Sequence, residues 1–178
     1  PLLIVVLSLF LLEEEPKDLY KIDENNPDQK PYLQGMKRMN SLKRINLQYN
    51  KLYDGLNEAN GDDLILVSDC DEIPDLTKLS EINSKKKYIA FCQKMFMYKL
   101  NLQNLNESNW IGSKITKVKY LKSMQKLRNL KFKNYPFWRI DKLNQQIING
   151  GWHFSFLQKP DQILKKIRSF SHGEFDQD

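Results

Sequence analysis

Three observations in the 178-residue chain predict an α/β layered domain. Apolar residues recur at helical spacing after Ser41, and a short, wholly apolar run at residues 64–67 reads as an interior strand. Helix-like and strand-like patterns then alternate towards the end of the chain. A hydrophobic share of 40% is enough for one continuous core over residues 1–178. Plentiful aromatics and the lack of any short sustained period exclude a disordered chain, a collagen or a coiled coil.

Taken in order, residues 2–12 (LLIVVLSLFLL) form the longest apolar run, followed by three glutamates. The run is too short to span a bilayer and reads as a buried strand before it reads as the stub of an anchor or signal segment. The chain opens on Pro1 rather than Met, so a missing upstream segment is expected. Residues 16–40 hold Pro16, Pro27 and Pro31 without apolar periodicity and read as a loop. From Ser41, the residues Leu42, Ile45, Tyr49, Leu52, Leu56 and Ala59 share one helical face; Ser41 is the expected cap and Asn60-Gly61 the expected end. Asp62 and Asp63 mark a turn before the strand at 64–67. Residues 75–83 read as a short helix with Leu76, Leu79 and Ile82 inward, and 88–102 as one long strand or a bent pair. Residues 151–157 (GWHFSFL) read as a strand, and Pro160 is placed to open a helix whose Ile163, Ile167 and Phe170 face inward.

With 28 basic against 22 acidic residues, the formal charge is +6 and is concentrated at 114–133 (KITKVKYLKSMQKLRNLKFK), where Arg128 is the single arginine. Scattered lysines give salt-sensitive phosphate attraction rather than base-edge recognition, so no nucleic-acid partner is expected. Val118, Leu121, Met124 and Leu127 fall at about helical spacing, and the segment reads as a solvated lysine-rich helix face; an anionic membrane or anionic ligand is the alternative. Cys70 and Cys92 form neither a disulfide framework nor a CxxC pair.

The sharpest local feature is LILVSDCDEIP at 64–74. An apolar strand runs straight into Ser68, Asp69, Cys70, Asp71 and Glu72, and the carboxyl ends of strands line the ligand crevice of open α/β sheets. Three carboxylates within four residues repel one another unless a cation joins them, and such an oxygen-rich set suits Mg²⁺ or Mn²⁺. Asp69 and Asp71 would share a face if the strand continued, and a turn could bring in Glu72. An Asp-x-Asp at a strand end serves two enzyme classes. In phosphotransferases of the haloacid-dehalogenase type the first Asp attacks phosphorus; a Thr or Val is usual where this chain has Ile73, and no later acidic pair clearly completes the metal site. In nucleotide-sugar glycosyltransferases the motif holds a divalent ion against the diphosphate.

The two histidines are His153, in GGWHFSFL, and His172, in RSFSHGEF. Strand alternation sets His153 opposite Trp152 and Phe154 and beside Ser155. Gly150 and Gly151 permit close backbone approach to a ligand, or else form a hairpin turn. Lys165, Lys166 and Arg168 crowd the segment between the histidines, whose spacing is too irregular for a zinc motif.

Four blocks in order, SDCDEIP at 68–74, NWIG at 109–112, GGWHFSFL at 150–157 and KIRSFSHGE at 166–174, resemble glycosyltransferase family 17. That family includes the β-1,4-mannosyl-glycoprotein β-1,4-N-acetylglucosaminyltransferase that adds bisecting GlcNAc. The helix containing NLQYNKLYDGL, residues 46–56, also resembles the segment ahead of the family's acidic motif, and the likeness covers residues 41–175. It implies a GT-A-like mixed sheet flanked by helices, a UDP-sugar donor (UDP-GlcNAc first), a glycan acceptor, Mn²⁺ or Mg²⁺ as cofactor, and inversion at the anomeric carbon. By carry-over, Asp69 and Asp71 hold the metal and donor diphosphate, with His172 as a third metal ligand. Trp152 and His153 line the site, Asn109 and Trp110 face sugar or acceptor, and Lys165 or Arg168 neutralises the leaving diphosphate. Glu174, then Glu72, then Asp141 are the candidate bases.

Two departures stand against the pattern. Gln158-Lys159 replaces a usual glycine, and the acidic motif comes at residue 69, where such a domain spends about a hundred residues, so the uridine pocket is expected to be incomplete at the N-terminus. The rival readings are a truncated or inactive interaction module and a Mg²⁺-dependent phosphatase. Membrane association would need a missing N-terminal segment or the basic surface. The lysine and asparagine bias favours a cytoplasmic microbial or viral setting over the Golgi lumen of anchored relatives.

Overall fold

The computed structural model describes residues 3–7, 14–106, 109–132 and 144–169. The chain divides into two compact units, one of residues 1–10 and 50–157, the other of residues 11–49 and 158–178.

The first unit is built on a mixed seven-stranded sheet: β1 (Leu3–Leu7), β2 (Leu64–Ser68), β3 (Glu72–Pro74), β4 (Tyr88–Met97), β5 (Trp110–Lys117), β6 (Asn144–Ile147) and β7 (Gly151–Ser155). The strand order is β1-β2-β5-β4-β7-β3, with β6 also on β4. β1 runs parallel to β2, β5 is antiparallel to both β2 and β4, and β6 and β7 run parallel to β4. β3 follows β2 after a short turn yet is hydrogen-bonded to β7, so the sheet curls and brings β3 back across β2 and β5. Together with its helices this is a general α/β architecture.

The core lies where β2, β4, β5 and β6 meet, at Leu66, Ile89, Phe91, Ile115 and Ile147. Leu79, from the 3₁₀ turn Leu76–Glu81, and Ile82, which follows it, cover the core, whereas Leu76, expected inward with them, is exposed; Asp75 caps the turn by accepting from the Thr77 N–H. A short helix α2 (Met124–Arg128), capped by Ser123, packs on β2 and β5.

Gly150 and Gly151 serve the protein's own backbone. Gly151 has φ +130°, and a Cβ there would lie 2.1 Å from the Ile73 carbonyl, so only glycine lets β7 pair with β3. The hairpin turn expected as one use of this pair is not formed, since β6 and β7 both run parallel to β4.

In the second unit, helix α1 (Leu33–Lys51) runs on into the first and starts eight residues before the expected Ser41. Residues 33–40 lack apolar periodicity because their anchoring is polar. Buried Asn40 accepts from the Tyr20 N–H at 2.8 Å and donates to the Tyr20 carbonyl at 2.9 Å. Glu24–Lys37, Asp18–Lys43 and Glu15–Arg44 then tie residues 14–29 along the helix. α1 tightens into a 3₁₀ segment at Leu52–Leu56, so the helical stretch ends before Asn60-Gly61. Helix α3 (Pro160–Ser169) begins at the proline that predicts it.

A further difference concerns residues 114–133. Rather than one solvated helix, this stretch comprises the end of β5, a 3₁₀ turn at Val118–Tyr120 and α2. Ser113, Lys114 and Thr116 are buried polar residues on β5, which hides its strand character from a reading by hydropathy. Among the described residues no helix is long and apolar enough to cross a membrane.

Candidate functional site

β2 is interior, so its end delivers Asp69 to the rim of the sheet, and the chain reverses there at once. The Glu72 N–H donates to the Asp69 carbonyl at 3.0 Å, closing a turn, and the Asp69 N–H donates back to Glu72 Oε2 at 3.2 Å. The Phe154 N–H on β7 donates to the Asp71 carbonyl at 2.8 Å and clamps the turn from the other side.

The three carboxylates meet different surroundings. Glu72 points inward and is 8% exposed. Its Oε1 accepts from the Trp110 indole N–H at 3.0 Å, and its Oε2 lies 3.4 Å from the Ser113 hydroxyl. Ser113 also accepts from Gln93 Nε2 and touches Ser68 Oγ at 2.7 Å, so a polar network from β2, β3, β4 and β5 runs through the curled sheet. Burial pushes the Glu72 carboxyl above its usual range; the Trp110 hydrogen bond opposes this and the neighbouring Asp69 charge reinforces it.

Asp69 is held by Arg128, at the end of α2: Nη2 donates to Oδ2 at 2.9 Å and Nε to the same oxygen at 3.1 Å. Lys114, 8% exposed, donates from Nζ to the Arg128 carbonyl. Burial pushes its ammonium below the usual lysine range, Glu72 pulls it back up and Arg128 adds to the fall. Asp71 is the most outward of the three, its side chain 29% exposed, with Oδ1 3.8 Å from His153 Nδ1.

His153 is buried, directly across from Glu72 in the β3–β7 pair, and stacks on Trp110 with ring centroids 4.6 Å apart and planes 14° from parallel. Asp69, Asp71, Glu72, Trp110 and His153, all named from the sequence, thus lie close together. Trp152 does not: it stands across from Ile73 on the opposite, exposed face of β7, away from the acidic turn. Asn109 is exposed and immediately precedes β5. Lys165 and Arg168 fall on α3 in the second unit. His172, Glu174 and Asp141 lie outside the described residues.

Sequence reasoning did not foresee Arg128, Lys114, Ser113 or Gln93. The one usable signal was Arg128 itself, a single arginine among lysines, since guanidinium is the group suited to two-point carboxylate or phosphate contacts. Among the described residues no group of three or more His, Cys, Asp or Glu is arranged to hold a metal ion. The protein-family models, the curated proteins and the solved structures contain no match to this chain.

Proposed function

We propose that the chain is an inverting, metal-dependent glycosyltransferase of GT-A-like fold, similar to glycosyltransferase family 17. It moves a sugar, GlcNAc in first place, from a UDP-sugar to a hydroxyl of a glycan or glycoconjugate. The observation that carries this reading is the acidic turn at the carboxyl end of interior strand β2, backed by Trp110 and His153.

Mn²⁺ and Mg²⁺ take oxygen donors, and Mg²⁺ commonly uses only one or two protein carboxylates beside substrate phosphates and water. The partly exposed Asp69 and Asp71 fit that donor set in kind and would hold the ion, with His172 as a further proposed ligand. Bound there, the ion would neutralise charge growing on the departing UDP.

The remaining parts fall to the chain's own side chains. The Arg128 guanidinium, already at the strand end and 40% exposed, is shaped for two-point contact with a diphosphate, ahead of Lys165 and Arg168. Trp110 offers an indole face, and Asn109 a side-chain amide, to sugar or acceptor. Inversion in one displacement needs a base for the acceptor proton. Glu72 has both oxygens engaged inside the sheet, which suits holding Trp110 and the turn in place; Glu174 takes the role of base.

The Asp69–Arg128 pair also favours a second reading, a glycosyltransferase-like module in which guanidinium stands in place of the metal and no transfer occurs. Calorimetric titration of UDP and UDP-GlcNAc, with and without Mn²⁺, separates the two. Metal-dependent binding abolished by Asp71→Ala supports the enzyme; absence of any nucleotide binding by folded protein with metal present refutes it.

A further inference from the structure

On the outer side of α2 the first unit contains a cavity of about 450 Å³, inside the range of small-molecule sites. Four lysines line it, Lys87, Lys122, Lys126 and Lys131, and among the described residues no carboxylate does. Two acids that meet this lysine-rich stretch are already taken, Asp62 by Lys117 and Lys119 at 3.2 and 2.7 Å and Asp69 by Arg128 at 2.9 Å. Lys87 rests instead against two aromatic rings, 5.4 Å from the Tyr88 centroid and 5.1 Å from that of Tyr120. The cavity therefore carries concentrated positive charge that the protein leaves uncompensated among its described residues.

One more feature defines what would fill it. Tyr88, Leu121, Leu127 and Leu130 supply apolar and aromatic surface, more than a bare inorganic anion would use.

From this combination we infer that the cavity is a binding site for a nucleotide-class anion: a flat aromatic ring, which the apolar wall would take, joined to two or more phosphates, which the lysines would take. The site takes its ligand by lysine charge, without a divalent ion. It is separate from the acidic turn, and stands whether or not the chain transfers sugars.

The test is calorimetric titration of the full chain with ADP and with pyrophosphate, both in EDTA. Expected are an ADP dissociation constant on the order of 10⁻⁵ M, as several charge-assisted contacts would give, and weaker pyrophosphate binding. The exposed pair Lys122→Gln/Lys126→Gln should weaken ADP at least tenfold, whereas Lys94→Gln/Lys99→Gln, elsewhere on the surface, should not. No ADP binding at millimolar concentration overturns the inference. So does an equal loss in both lysine pairs, which would mean general charge attraction, or pyrophosphate binding as tight as ADP.

Discussion

Replacing Gly112 by alanine places one methyl group in the most tightly filled part of the polar network. An ideal Cβ there would lie 2.0 Å from Gln93 Oε1, 2.7 Å from Gln93 Cδ and 3.2 Å from Glu72 Cδ. Comfortable separations between such atoms begin near 3.5 Å, so the Gln93 amide must move by more than about 1 Å. Gln93 is fully buried, and moving it breaks its 3.1 Å bond to Ser113. Overpacking costs about 1–3 kcal/mol and the broken bond about 1 more. For a chain of this length each kcal/mol lowers Tm by about 2–4 °C, so Gly112→Ala should melt roughly 4–16 °C lower by calorimetry or circular dichroism. Gln93→Ala empties the space that the new methyl needs, so the double variant should be more stable than the two single losses added, by at least about 1 kcal/mol. A Gly112→Ala melt within 2 °C of the parent, or strict additivity in the double variant, would refute the packing argument.

Three other perturbations have defined outcomes. Because burial raises the Glu72 pKa, the folded state binds the more proton just above the ordinary carboxylate range. Stability should therefore fall as pH rises from the unfolded value through the folded one, and Glu72→Gln should remove that fall; parallel denaturant-midpoint curves between pH 4 and 8 would contradict it. Arg128→Gln breaks a partly exposed pair and should cost only about 0.5–1 kcal/mol in unfolding, yet weaken UDP binding in Mn²⁺ at least tenfold; unchanged UDP affinity would remove Arg128 from the proposed site. Asn40→Ala loses both bonds to Tyr20, and trypsin should then cut after Lys17 and Lys21 several-fold faster. An unchanged cleavage rate would mean that the neighbouring ion pairs alone hold that segment.

What could be foreseen follows the kind of force at work. β2, the acidic turn, the inward phase of His153 and the start of α3 at Pro160 depend on hydropathy, alternation or backbone restriction, all local and visible in a string of residues. The early start of α1 depends on Asn40 meeting Tyr20 twenty residues away, and no local pattern encodes that partner. β5 was missed because three of its interior positions are polar, and they are tolerable inside only through bonds to distant parts of the chain: Ser113 to Ser68, Lys114 to the Arg128 carbonyl and Thr116 to the Lys87 carbonyl. Arg128 reaches Asp69 across 59 residues, so its place at the strand end emerges only when α2 folds onto β2 and β5.

The joint between β6 and β7 has a consequence for how the chain can change length. Both strands ride on β4, but β6 pairs Phe91 with Ile147 whereas β7 pairs Met95 with His153, so the second strand is out of step with the first by two residues. An even offset preserves parity: Ile147, Gly151, His153 and Ser155 all keep to the buried side. Between the two strands, Ile148 and Asn149 form an exposed turn that can take up a change of one residue, whereas the same change inside β7 would turn Trp152 inward and expel His153 from its place beside Glu72 and Trp110. Tolerance to length change therefore sits in the turn at Ile148 and Asn149 and stops where β7 begins.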